Sequence, residues 1–267
     1  MQELLELLTE RNEEVPLDVA ALQLAQIEQP EISIEPFLLV LDSYATELQQ
    51  RISGNAGGEE FLHLANEYLF DELGFHGDAE DYYNPANSCL NEVLMRRLGI
   101  PITLSLVYME IGKRLGRRVY GIGLPGHFIV RYDDDDFSTY VDPFNSGKLL
   151  CKEDCFELAK MITGVDVSGN PVVLQPVSKR YIAVRMLNNL RAIYLQREEF
   201  LKASDVLSYL IAADPLSSGE YKQRAICRAK LRLFHEARQD LEHYLELAPG
   251  APDHEEVEDQ LKRIKKW

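Results

Sequence analysis

Residues 121–142 read GIGLPGHFIVRYDDDDFSTYVD, and this stretch constrains the fold more than any other. His127, Ile129 and Arg131 alternate with Phe128, Val130 and Tyr132, and Phe137 to Val141 resumes the alternation after four aspartates. A period of two on both sides of an acidic turn is the pattern of an antiparallel hairpin. Folding symmetrically about Asp134 and Asp135 pairs residues whose numbers add to 269, which sets His127 opposite Asp142. Cross-strand partners lie with Cβ atoms about 4.5 to 5.5 Å apart. A carboxylate at that range orients an imidazole and stabilises its charged form, supplying two of the three members of a nucleophile, histidine and aspartate triad.

The rest of the chain must therefore build a core around a central sheet. With 267 residues, 46% of them hydrophobic, there is material for one large domain or two ordinary ones. The 44 acidic against 28 basic residues give a net charge of −16. That charge repels a phosphate backbone and an anionic lipid surface, so neither nucleic acid nor membrane is an expected partner. The N-terminal MQELLELLTERNEE lacks the basic flank and apolar run of a secretory signal, and no apolar stretch approaches 18 residues. A cytoplasmic protein with four free thiols is the expectation.

Before residue 80 the pattern is helical. Leu4, Leu5 and Leu8 form one stripe, Val19, Leu22 and Ala25 another, and Phe37, Leu38, Leu41 and Tyr44 a third. A further helix starts near Glu59 and stops at GFHGD. Pro85 to Ser88 reads as the cap of a helix running to about Arg97. Gly99-Ile100-Pro101 interrupts the pattern and starts the next helix, since proline's missing N–H costs nothing in a first turn. Leu104, Val107, Tyr108, Ile111 and Leu115 then mark the buried face of a central core helix. Strands at about 119–122, 127–132 and 137–141 and a helix at 153–162 follow, giving an α+β domain over residues 1–176.

From residue 177 the pattern changes. Ala203, Leu207 and Pro215 recur as Ala237, Leu241 and Pro249, each displaced by 34 residues, the period of the tetratricopeptide repeat. Leu190 and Tyr194 fill apolar first-helix positions of the first copy, where the second has Arg224 and Arg228 and looks partly degenerate. Residues 177–267 are thus expected to form two repeats, closed by a helix from Glu255 to Trp267.

The segments YYNPANSCLNEVLMRRLGIPITLSLVY, GIGLPGHFIVRY and YVDPFNSG together resemble the SirB-type branch of the transglutaminase-like superfamily, whose members often carry C-terminal tetratricopeptide repeats. GFHGDAEDYY at 74–83 also looks like an element of that family. The resemblance implies a papain-like half-barrel, with a central helix packed on an antiparallel sheet. It further implies that a Gly-x-Cys at the start of that helix supplies the nucleophile, a histidine opens one strand and an aspartate closes the next. His127 and Asp142 match the last two roles. Gly99-Ile100-Pro101 occupies the place of Gly-x-Cys, and proline carries no nucleophile.

Other candidates for the missing group are Thr103 and Ser105, one turn further on, and Cys89, near a helix start where the dipole lowers a thiol's pKa. Asn87 and Gly126 are expected to line the same cleft, Asn87 by bonding helix starts and Gly126 by allowing close backbone approach. Cys151 and Cys155 lack the two further ligands of a structural zinc site, and the run Asp133 to Asp136 lacks the glycine and distal glutamate of a calcium loop. No metal and no cofactor is expected. The reading that fits best is a regulatory or scaffold protein that keeps its cleft without catalysis and binds a protein or peptide through its repeats. The alternative is a cysteine-type hydrolase or acyl transferase with a relocated nucleophile.

Overall fold

The computed structural model describes residues 1–10, 12, 14–53, 57–135 and 137–264. Helices α1 (Gln2–Thr9), α2 (Leu17–Ala25), α3 (Glu35–Arg51) and α4 (Gly58–Asn66) come first, and wider turns continue α4 through Glu67–Glu72. Helix α1 buries Leu4, Leu7 and Leu8 while Leu5 faces solvent, so its stripe is rotated from the expected one. Strand β1 (His76–Gly77) and strand β2 (Leu98–Gly99) pair in parallel on either side of α5 (Leu90–Arg96).

Helix α6 (Pro101–Arg114) is the central element, and its pattern is that of a helix buried on every side. Its first twelve residues are buried except Met109. Pro101 stands in the first turn as expected, and Ile100 precedes it as the cap. Gly112 lets the helix approach β3 (Arg118–Ile122) closely: a Cβ there would come within 2.6 Å of Val119. At the helix end Arg114 gathers three carboxylates, Asp18 at 2.7 Å, Asp42 at 2.7 Å and Glu110 at 2.9 Å, tying α6 to α2 and α3.

The sheet runs in the order β3, β4 (Ile129–Asp133), β5 (Ser138–Asp142) and β6 (Lys148–Leu150), antiparallel throughout. Its two faces follow the alternation. Phe128, Val130, Tyr132 and Val141 join the main core, whereas Ile122, Ile129, Tyr140 and Leu150 pack with Cys155 of α7 (Lys152–Thr163). The hairpin register differs from the symmetric one. Val130 faces Val141, Arg131 faces Tyr140 and Tyr132 faces Thr139, pairs whose numbers add to 271. The turn closes one residue later, with Asp134 donating its backbone N–H to Phe137 C=O and accepting Phe137 N–H on its side chain. A shift of two leaves every side chain on its expected face, so His127 and Asp142 become diagonal neighbours rather than direct partners. Asp136 lies outside the described residues.

Helices α8 (Lys179–Gln196) and α9 (Phe200–Ala213) form the first repeat, α10 (Ser218–Lys230) and α11 (Phe234–Leu247) the second, and α12 (His254–Ile264) covers the end. Residues 265–267 of the expected last helix lie outside the described residues. One hydrophobic core runs from Leu4 and Leu22 through α6 to Ile182, Leu190 and Leu207, across residue 176. The second repeat has a small core of its own around Ala225, Leu241, Tyr244 and Val257.

Arg224 and Arg228, the departures from the repeat pattern, are half-buried partners of one buried carboxylate. Arg224 grips Asp240 through two bonds of 3.0 and 2.7 Å, and Arg228 adds a third at 2.7 Å. Asp240 is 2% exposed. One repeat earlier the same three positions hold Leu190, Tyr194 and Val206, all buried. An ionic triad thus replaces an apolar one in equivalent packing. Breaking a buried pair strands its partners, whereas replacing the whole set with apolar groups is often neutral. Asp240→Ala should therefore cost about 3 kcal/mol, and Arg224→Leu with Arg228→Tyr and Asp240→Val should restore most of it, as read by urea unfolding and hydrogen exchange in α10 and α11.

Candidate functional site

Asp142 ends β5, and Pro143–Asn145 turns immediately after it. Its Oδ1 accepts the backbone N–H groups of Phe144 at 3.1 Å and Asn145 at 3.4 Å, and its Oδ2 accepts the Asn145 side-chain amide at 2.7 Å. The remaining partner of Oδ2 is His127 Nε2, at 2.9 Å. Both residues are buried, Asp142 being 1% and His127 6% exposed. Burial pushes the Asp142 carboxyl up, but the His127 hydrogen bond and charge and the Asn145 donors outweigh it and hold the group below its ordinary range. Nε2 is committed to the carboxylate, and among the described residues Nδ1 has no hydrogen-bond partner. The Phe144 ring meets the imidazole edge-on, with centroids 5.9 Å apart, and Tyr82 lies beyond it at 6.2 Å.

The loop that delivers His127 is held from the repeat module. Arg185 on α8 donates to the carbonyls of Leu124 at 3.1 Å and His127 at 2.5 Å, and its guanidinium lies 5.5 Å from the Phe128 ring centroid. Gly126 in this loop has φ +72°, and a Cβ there would come within 2.6 Å of Ile162. Arg185, Phe144 and Asn145 do not emerge from the sequence pattern as site residues. Only the Asp-Pro-x-Asn order at 142–145 signals a side-chain-capped turn.

The candidates for the missing nucleophile stand at the starts of α5 and α6. Pro101 is buried in the first turn of α6. Thr103 Oγ1 donates to Asn87 C=O at 2.7 Å and accepts Ile100 N–H at 3.1 Å, so its hydroxyl is committed to the cap. Ser105 is buried and its hydroxyl reaches Phe128 C=O at 3.4 Å. Asn87 is a structural junction. Its amide donates to Asp78 at 3.0 Å and to Asp81 C=O at 2.8 Å, and its Oδ1 accepts from Arg96 at 3.0 Å.

Cys89 is the cap residue at the start of α5. It is 1% exposed, and burial, with Glu28 and Glu92 adding negative charge nearby, pushes its thiol up to about 12. Desolvation of the thiolate thus overrides any favourable effect of the seven-residue helix α5. Among the described residues no hydrogen bond joins Cys89 to His127. Cys155 is likewise pushed up to about 12 by burial, and Cys151 is exposed at the start of α7. Among the described residues no three His, Cys, Asp or Glu side chains stand together as ligands for a metal ion, and no helix is long and apolar enough to cross a membrane.

A model of the transglutaminase-like superfamily matches residues 35–188, and a tetratricopeptide-repeat model matches residues 190–262. The chain belongs to the transglutaminase-like superfamily. Over 247 residues it is 32% identical to a UPF0162 protein of Xylella fastidiosa strain 9a5c, covering 91% of this chain and 88% of that protein. A UPF0162 protein of Vibrio cholerae is 27% identical over 77% of this chain and 75% of its own length. Human F-box only protein 21 is 32% identical over 143 residues, half of this chain and 22% of that protein. The transglutaminase-like match extends into α8, the helix whose Arg185 clamps the His127 loop.

Two outcomes follow from this geometry. At pH 8 a thiol with a pKa near 12 is ionised in about one molecule in ten thousand. Iodoacetamide followed by mass spectrometry should modify Cys151 first and Cys89 only on unfolding, with the Cys89 rate unchanged by His127→Ala. Because the folded pKa of Asp142 is depressed, its stabilisation is present above the unfolded value near 3.9 and lost as pH falls through the folded value. Asp142→Asn should cost about 2 kcal/mol at pH 7, and chemical unfolding should show that difference shrinking below about pH 4.

Proposed function

We propose that this protein is a non-catalytic interaction protein, regulatory or scaffolding in role, which binds a protein or peptide partner through its tetratricopeptide repeats and uses the retained cleft for recognition. The observation that carries this reading is the start of α6, where Pro101 stands and the nearby Thr103 hydroxyl is committed to backbone groups. The thiol of Cys89 is pushed up to about 12. Among the described residues the His127 ring bonds no side chain but Asp142, which supports a site without catalysis, while the helix pairs α8–α9 and α10–α11 belong to a repeat type that generally mediates protein association. The charge of −16 favours a basic partner, with neither nucleic acid nor membrane involved, and a cytoplasmic setting suits the free thiols.

A second reading, a hydrolase or acyl transferase with His127 as general base and Asp142 as its orienter, is favoured by the 2.9 Å bond between them. Quantitative affinity capture with the full chain separates the two. The interaction reading expects Ile226→Asp, on the exposed side of α10, to lower recovery of the partner about tenfold, His127→Ala in the cleft to lower it by a smaller factor, and the wild type not to hydrolyse activated esters or amides. Hydrolysis of activated esters or amides by the wild type, lost in His127→Ala, would establish the enzymatic reading instead.

A further inference from the structure

The sheet face that packs on the helices runs out of cover at its last strand. Thr139 and Val141 project from that face of β5, Phe137 just precedes the strand, and Leu149 of β6 lies directly opposite Val141. Val141 is fully buried, yet Leu149 on the same face is 51% exposed. Between these strands and α4 lies a groove of about 550 Å³ with Leu62 and Phe137 in its walls. Glu59 and Glu67 stand on its helix side, eight residues apart and so on one stripe, with His63 between them and Asp71 beyond. Among the described residues no lysine or arginine lines the groove. Neither glutamate has an ion-pair partner among the described residues.

We propose that this groove is a second docking surface, distinct from the repeats, and that its occupant is a basic amphipathic segment of a partner protein. The apolar side chains of such a segment would cover Leu149 and Phe137, while its lysines or arginines would meet Glu59, Glu67 and Asp71. The apolar sheet face supplies the contact area, and the unpaired carboxylates supply the sign of the partner's charge. A neutral apolar strand would leave the carboxylates unmatched. A purely basic segment would leave the leucine in water.

A fluorescent 14-residue peptide of leucine and lysine, patterned as an amphipathic helix, tests this with the full chain by anisotropy at 0.15 M salt, with an oligolysine of equal charge as control. The proposal expects the amphipathic peptide to bind more tightly than oligolysine and to lose about tenfold in affinity with Leu149→Asp and with Glu67→Lys. The first variant is diagnostic because it adds negative charge, so simple attraction to an acidic surface would be strengthened by it. Unchanged or tighter binding to Leu149→Asp overturns the proposal. Loss with Ile226→Asp alone places the peptide on the repeats and overturns it too, while leaving the interaction function standing. A wild-type dimer in sedimentation velocity that Leu149→Asp dissociates would make the occupant a second copy of this chain, which also overturns it.

Discussion

The need to cover α6 on all sides organises this molecule. A helix with one apolar stripe can sit on a surface, but α6 buries almost its whole first three turns, including Thr103, Ser105 and Glu110. Helices α2 and α3 cover one side, β3 and β4 another, and α8 reaches in from the repeat module, so one continuous core crosses residue 176. The polar groups drawn in with the helix are matched: Thr103 bonds the backbone at Ile100 and Asn87, and Glu110 meets Arg114. Burial, together with the charge of Asp18, still pushes the Glu110 carboxyl up, against the pull of Arg114, which serves three carboxylates at this end of α6.

The His127–Asp142 pair is a consequence of that packing. Asp142 is fixed by the turn it caps, and His127 by a loop whose carbonyls are held by Arg185 from α8. The first repeat thus does more than lengthen the protein, because one of its side chains sets the backbone on which the imidazole hangs. The bonds that hold Asp142 and His127 together also tie the sheet to its turn and to α8, and none of them involves the first turn of the central helix, where Pro101 stands.

Much of this could be read from the residues alone, for reasons that are local. The central helix, its proline start, the three strands and the 34-residue period are all expressed as spacing, and spacing survives in the fold. The hairpin register missed by two because symmetry about the aspartates ignores the turn's own hydrogen bonds, between Asp134 and Phe137. Cys89 was legible as a small buried side chain at a helix start, but the charges it meets were not, since Glu28 and Lys202 come from distant parts of the chain. Arg224 and Arg228 looked like decay of the repeat because Asp240, the residue that makes sense of them, lies on the next helix. Arg185 is a single cation in a helix rich in them, and only its contacts distinguish it.

The central proposal is that the buried His127–Asp142 pair is the frame of a transglutaminase-like site whose missing nucleophile would stand at the start of α6. Replacing Pro101 with cysteine and following the thiol's alkylation rate against pH tests it directly. The account predicts a thiolate formed below the ordinary range near 8.5, with a rate that falls about tenfold when His127→Ala is added. A thiol as inert as that of Cys89, indifferent to His127, would show that the imidazole is not aimed at the helix start and that the pair is only a buried polar contact of the sheet.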